Sequence, residues 1–378
     1  MSVEALNPEL APVQSEKKAY VATQWQLTWW KFRKHKLAMV GGIVTILIYL
    51  IALFADFLAP FATDDFSATH TYAPPQPLHL FEETPEGRQF RPYVNGYKVE
   101  IEQEALRRVF LLDEEVRHYV KLWVEGEPYK LFGFFETNVH LLGPEDPDAP
   151  MYLLGADKIG RDVLSRLLHG TRISMSIGLV GVAISFFLGI LLGGISGYYG
   201  GAIDNVIQRL IEFIRSFPTI PLWMGLAAAL PTDWPPLRIY FGITIILSFI
   251  GWTGLARVVR GRFLALRTED FVMAARLDCV REMRIIWRHM VPSFLSHIIA
   301  SLTLAIPSMI LAETSLSFLG LGLRPPVVSW GVLLQEAQNI RAVATAPWLL
   351  APGVAIIIAV LALNFLGDGL RDAADPYR

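Results

Sequence analysis

TEDFVMAARLDCVREMRIIWRHMVP, residues 268–292, is a charged, helix-forming stretch between two long apolar runs, and it reads as a docking element on a membrane protein. Its first part, 269–280, is rich in strong helix formers. Ala274 and Ala275 give it a small-residue face, and Asp270 lies four residues before Ala274, which predicts a compact helix able to enter a cleft on a soluble partner. Residues 283–290 read as helical and basic, and Pro292 stands where a new membrane helix can begin, because proline is tolerated in a first turn. His289 reads as a structural donor rather than a ligand.

The surroundings fix the class. Hydrophobic residues make up 53% of the 378 and charged residues only 18%, with a mean hydropathy of +0.40, too apolar for a soluble domain of this length. Runs long enough to cross roughly 30 Å of hydrocarbon occupy 37–55, 173–203, 239–256, 290–312 and 342–367. A shorter run, 216–232, follows an amphipathic stretch at 203–214, and together they predict one further tilted span, six in all. The first run follows a polar tail and lacks a small-residue cleavage site, so it reads as a retained anchor.

Basic residues set the expected orientation. Lys17, Lys18, Lys31, Arg33, Lys34 and Lys36 precede the first run, and Arg257, Arg260, Arg262, Arg267, Arg276, Arg281, Arg284 and Arg288 crowd the segment between the fourth and fifth. Both segments are expected in the cytoplasm with both termini, and the acidic stretch 61–151 on the other side. Trp25, Trp29, Trp30 and Phe32, alternating with Arg33, Lys34 and Lys36, predict a helix lying in the headgroup layer.

Within 61–151, Pro74, Pro75 and Pro77 mark a loop, and 91–102 reads as two short strands around an Asn95-Gly96 hairpin turn. A helical patch at 102–120 and strand-like pieces at 121–124 and 129–135 complete the expectation of a small α+β unit outside the membrane. Its acids Asp113, Glu114 and Glu115 read as solvated surface.

Gly181, Ser185, Gly189, Gly193 and Gly197 recur every four residues in the second span, a stripe that lets another helix approach closely; a pore-lining role stays open. Glu313 and Asp368, the acids nearest membrane depth, are expected at the interfaces. No Gly-Lys-Ser or Gly-Lys-Thr follows a glycine-rich turn, so there is no P-loop. Neither is there an HExxH, a Cys/His metal spacing or a GxSxG elbow, so membrane-enzyme chemistry is disfavoured. A solitary carrier or channel would need midplane charges or broken helices, which these runs scarcely offer.

Phe271-Val272-Met273-Ala274-Ala275-Arg276, followed by Ile285-Ile286 and Arg288-His289-Met290-Val291-Pro292, resembles the EAA loop of permease subunits in binding-protein-dependent ABC importers. Further motifs resemble the C-type permease of the dipeptide, oligopeptide and nickel branch. They are Gly155-Ala156-Asp157 leading into Gly160-Arg161-Asp162-Val163-Leu164-Ser165-Arg166, then Leu316-Ser317-Phe318-Leu319-Gly320-Leu321-Gly322 with Ser329-Trp330-Gly331, and Gly367-Asp368-Gly369-Leu370-Arg371-Asp372 with Asp375-Pro376.

The resemblance implies an all-α membrane protein of the type I ABC importer (MetI-like) fold, with six transmembrane helices and an α+β extracytoplasmic insert between the first two. The expected divisions are 1–36, a cytoplasmic tail with an interfacial helix; 37–59, the first span; 60–154, the insert; and 155–378, the permease core, with its coupling loop at 257–291. It implies a sister permease as heterodimer partner, two ATP-binding subunits, an extracytoplasmic substrate-binding protein, the lipid bilayer of a bacterial or archaeal plasma membrane, and no nucleic acid. No cofactor belongs to this chain; ATP and Mg belong to the partner ATPases. Glu269, Asp270, Met273, Ala274, Ala275, Cys279, Ile285, His289 and Pro292 would form the coupling loop, and Asp157, Gly160, Arg161, Asp162, Glu313 and Trp330 the extracytoplasmic motifs. Peptides are the expected cargo, with nickel chelates or oligosaccharides as alternatives. Two positions depart from the family pattern: Met273 stands where glutamate is general, and Cys279 where glycine is usual. Glycine there permits a positive φ that costs an L-residue about 1 to 2 kcal/mol, and Cys279 reads as an inert small residue.

Overall fold

The computed structural model describes residues 24–85, 87–102, 107–231 and 233–374. Lys17, Lys18, Asp375 and Pro376 lie outside the described residues, as do parts of the patch at 102–120 and the end of the run at 216–232. Helix α1 (Gln24–Lys34) stops at His35, whose Nδ1 accepts from the Ala38 N–H at 3.2 Å and so caps α2 (Lys36–Leu53). Trp29 and Trp30 of α1 are exposed while Phe32 is buried against Ala38 and Ala373. A single turn, α3 (Ala55–Leu58), leads out of α2.

Residues 60–151 correct the α+β expectation. Their described residues form an antiparallel sheet in the order β1 (His79–Thr84), β2 (Gly87–Glu102), β3 (Arg107–Leu131), β4 (Phe135–Pro144). Asn95-Gly96 is a bulge and not a hairpin turn: β2 runs straight through it, while the pairing jumps from Asn95↔Arg117 to Gly96↔Asp113. The surplus residues on β3 fold over Gly96, where a Cβ would sit 2.9 Å from Val116. The turn signal was real, but the Gln76 amide donates to the Asn95 carbonyl at 2.7 Å and the flanking residues already have partners in β3. The helical patch is a strand where it is described, because pairing with β2 from Arg107 to Tyr119 outweighs a weak intrinsic helix preference. Asp113 holds this bulge, accepting from the Glu115 N–H at 3.0 Å and lying 3.3 Å from Lys98 Nζ.

The sheet is tied to the helices by buried polar contacts. Gln76 Oε1 accepts from the Tyr152 N–H at 2.6 Å, and a ring nitrogen of His140 lies 2.7 Å from the Ala59 carbonyl. Asp56 on α3 pairs with Arg172 at 2.8 Å and His169 at 3.1 Å. Burial pushes its carboxyl up, yet hydrogen bonds from His169 and Arg172 and the Arg172 charge win and hold it at about 2.

Helix α4 (Val163–Tyr199) is capped by Asp162, which accepts from the Ser165 N–H and hydroxyl, each at 2.7 Å. Full burial pushes the Asp162 carboxyl up to about 6, against the pull of those bonds. Next come α5 (Gly201–Ser216), α6 (Thr219–Ala228), α7 (Pro236–Leu266), α8 (Asp270–Leu277), α9 (Leu295–Phe318), α10 (Trp330–Glu336) and α11 (Ala351–Ala374).

Among the described residues, five stretches of helix are long and apolar enough to cross a membrane: Lys36–Leu53, Val163–Tyr199, Pro236–Leu266, Ile298–Phe318 and Pro347–Ala373. The remaining run is broken into α5 and α6, because Phe217 precedes Pro218 and takes an extended conformation (ψ 140). By itself α6 is 10 residues, about 15 Å, half the hydrocarbon thickness.

The glycine stripe of α4 lies against protein. A Cβ on Gly193 would stand 2.5 Å from the Ala256 carbonyl oxygen, and one on Gly197 2.6 Å from Phe263 Cβ and 2.7 Å from the Arg260 oxygen, so α4 and α7 touch backbone to backbone. Gly189 abuts Leu255, Gly181 abuts Met309 of α9, and the Ser185 hydroxyl donates to the Ser248 carbonyl at 3.3 Å.

Candidate functional site

Helix α8 lies between the ends of α7 and α9 and is split along its length. Val272 and Ala275 point inward, into a core with Tyr198, Phe263, Ile285, Ile286 and Met290. Phe271, Ala274 and Leu277, at helical spacing, face out with Met273; Leu277 is 83% exposed. The two alanines, read from sequence as one docking face, therefore lie on opposite sides. Glu269 precedes the helix in an extended conformation and Asp270 begins it, while Arg276 closes it, the arrangement that suits the helix dipole.

The helix ends in a Schellman turn. The Val280 N–H donates to the Ala275 carbonyl at 3.2 Å and the Cys279 N–H to Arg276 at 3.0 Å, with Cys279 at φ +56. The turn that glycine would make is thus made with cysteine, and the side chain is exposed. Cys279→Gly is expected to relieve about 1 kcal/mol of local strain, seen as a severalfold slowing of amide exchange at Val280; unchanged exchange would mean that the turn is not strained.

Beyond it, 282–284 form a helical turn and Ile285–Met290 a π-turn, followed by Val291–Ser293, which holds Pro292. Proline lacks the N–H that a regular helix would offer there, and the chain widens before it. The long helix starts at Leu295, after a break at Phe294, rather than at Pro292. Ile285 is fully buried, His289 half-buried and Pro292 exposed. A cleft of about 610 Å³ opens beside α8, lined by Tyr198, Tyr199, Met273, Arg276 and Glu282 among others. Across it the Tyr199 hydroxyl donates to Glu282 at 2.5 Å, and the Arg276 guanidinium stacks 4.7 Å over the Tyr198 ring. Asp204 of α5 holds Arg260 of α7 through two 2.5 Å bonds.

At the other end of α4, about 55 Å away by helical rise, sits a buried ion cluster. Asp157 accepts from the Ile159 N–H at 2.9 Å, the Arg161 N–H at 3.0 Å and Arg161 Nε at 2.6 Å, and from Arg166. Arg161 and Arg166 both reach Glu336 of α10, at 3.0 and 3.2 Å. Gly160 turns the chain at φ +86, where a Cβ would fall 1.9 Å from the Ser67 carbonyl oxygen. Glu313, near the end of α9, is 0% exposed and faces protein, where Oε1 accepts from the Ser317 and Ser329 hydroxyls, each at 2.8 Å. Those hydroxyls replace water and fix the loop between α9 and α10. Trp330, also buried, donates its backbone N–H to Ser174 Oγ at 3.1 Å. Asp368 is exposed on α11.

The family described as "Binding-protein-dependent transport system inner membrane component" matches residues 189–377, half of the sequence. The chain belongs to that family. The permease also matches the N-terminal transmembrane domain of oligopeptide transport permease C over residues 23–75. It is 38% identical over 281 residues to the oligopeptide transport system permease protein OppC of Haemophilus influenzae, covering 72% of this chain and 88% of the relative. With the dipeptide transport system permease protein DppC of Bacillus subtilis it shares 36% identity over 236 residues, 61% of this chain and 70% of that protein. A structure of the inward-facing MetNI methionine ABC transporter aligns with 55% of this chain and 96% of that one, at 18% identity and a TM-score of 0.43. The permease family is a transport family, not an enzymatic one.

Sequence reasoning on the permease missed Glu336, Ser174 and the Asp204–Arg260 pair. A charge count held no signal for the first, because Asp157 and Asp162 already match Arg161 and Arg166 in number. Nothing local marked Ser174, which meets Trp330 across 156 residues.

Proposed function

We propose that this permease is one of two membrane subunits of an ATP-driven peptide importer. A sister permease completes the passage, two ATPases dock in the cytoplasm and carry the ATP and Mg, and a binding protein delivers cargo on the other side. The observation that carries this reading is α8, a short helix whose inner face is locked to the ends of α7 and α9 while Phe271, Ala274 and Leu277 face outward without cover from the rest of the described chain. An apolar helix face of that kind suits a groove in a partner. Relatives named for oligopeptide, dipeptide and glutathione transport support peptides as cargo.

In this reading α5 and α6 together supply the sixth crossing, both termini and α8 lie in the cytoplasm, and the sheet of 79–144 lies outside. ATP-driven closure of the ATPases moves α8, and because Val272 and Ala275 share one core with Phe263, Ile285 and Ile286, α7 and α9 move with it. The cavity switches from inward- to outward-facing, a two-state change biased by ATP. The reading is tested by purifying the chain in mild detergent from its native membrane and reconstituting what comes with it: ATPase subunits and ATP-dependent uptake of di- or oligopeptides are expected. Recovery without any ATPase would overturn the importer reading, and uptake of other cargo alone would overturn the choice of substrate.

A further inference from the structure

We infer that the turn joining β3 to β4, Leu131-Phe132-Gly133-Phe134-Phe135, is seated in the lipid bilayer beside α2 and α4, its partner being the interfacial layer of phospholipid. The sheet as a whole is joined to the helices well away from this turn, through Gln76 and His140. The turn itself reaches back along the spans. Phe132 stacks edge-on with Phe54 at 5.5 Å, and a shallow groove of about 370 Å³ is shared by Phe132 and Gly133 with Tyr49 and Leu53 of α2 and Met175 and Leu179 of α4.

Depth follows from the helical rise. The Asp56–Arg172 pair marks a polar level and itself lines the groove, at the end where Phe132 meets Phe54; from there the groove runs along α4 to Leu179, seven residues or about 10 Å further into the apolar span. That is the depth to which interfacial segments enter a membrane.

The chemistry of the turn fits that depth. Phe134 is 85% exposed and Phe135 68%, and further along β3 Trp123, at 5.3 Å from Phe57, is 67% exposed. Their exposed rings continue the outward apolar face of α2, formed by Ile43, Leu47 and Leu50, which has to lie against lipid or another membrane chain. A turn can enter such a layer only if its backbone is satisfied. Here the Gly133 N–H donates to the Lys130 carbonyl at 3.0 Å and the Phe134 N–H to Leu131 at 3.2 Å. Behind the aromatic tip, Lys130 and Glu136 pair across the strands at 3.2 Å, a polar rim where headgroups begin. Phe132 holds φ +54, a conformation glycine or asparagine would take more easily, so the position is occupied for its ring.

The test uses nitroxide accessibility on the full chain assembled with its partners in a phospholipid bilayer. Cys279 is the single cysteine and is replaced by glycine, after which Phe134→Cys and Phe135→Cys are labelled one at a time. Leu47→Cys serves as the lipid-facing reference and Glu83→Cys on β1 as the aqueous one. Labels at 134 and 135 are expected to relax severalfold more with oxygen than with an aqueous nickel chelate, as at 47 and opposite to 83. Chelate-dominated relaxation would place the turn in water, and exclusion of both reagents would place it under the sister subunit; either result overturns the proposal.

Discussion

Ala274→Arg abolishes ATPase docking and peptide uptake in the expected outcome, while the membrane fold survives. Ala274 lies on the outward face of α8, so an arginine there meets no atom of its own core and, in the proposed complex, would enter the groove of the partner as an unpaired charge. An uncompensated charge at a buried contact costs about 3 to 5 kcal/mol, a loss in affinity of at least a hundredfold. Co-purification of the ATPase, uptake in proteoliposomes and the thermal unfolding of the permease are the three readouts. The first two should collapse and the third should not move. Ala275→Arg behaves differently, because Ala275 packs in the core with Phe263 and Ile285: this variant loses stability as well as docking. If uptake survives Ala274→Arg, α8 is not the point of coupling.

Arg166→Met is expected to be the most damaging single change at the other end of α4. Arg166 is 1% exposed and bridges Asp157 and Glu336. Its removal leaves Arg161 to neutralise two buried carboxylates, and breaking a buried pair from one side typically costs about 3 to 5 kcal/mol. The readout is the thermal midpoint of the purified chain, together with the monodisperse fraction recovered. The double variant Arg166→Met with Glu336→Gln restores the charge balance and should recover much of the loss. A single variant within about 0.5 kcal/mol of the parent, the range of an ordinary surface change, would show that the cluster holds nothing together.

How much of this was legible in the sequence depends on the range of the interactions. Five spans followed from apolar length, and α8 from its helix formers, since each rests on neighbours within a few residues, whereas the turn at Cys279 was expected only from the resemblance to the EAA loop. The insert was misread for the same reason. Asn95-Gly96 carries a local turn signal, and only the partner strand 17 to 22 residues away decides that it becomes a bulge. The partner of Glu313 was not legible, because an acid near the end of an apolar run has its usual refuge in water, whereas here Ser329, from beyond the following loop, supplies the hydroxyl instead. The division between Ala274 and Ala275 was likewise invisible: two adjacent alanines are alike until the core shows which one it faces.

The contact of Gly193 with Ala256 and of Gly197 with Arg260 has a mechanical consequence. Two helices separated by side chains can slip by letting rotamers change, but two whose backbones touch have no such slack; sliding by a fraction of a turn drives carbonyl oxygens into Cα atoms. The pair α4 and α7 therefore has the stiffness of a single lever, with the Asp157 clasp at one end and α8 at the other. A displacement delivered at one tip reaches the other as rotation of the whole arm rather than dying out along its length.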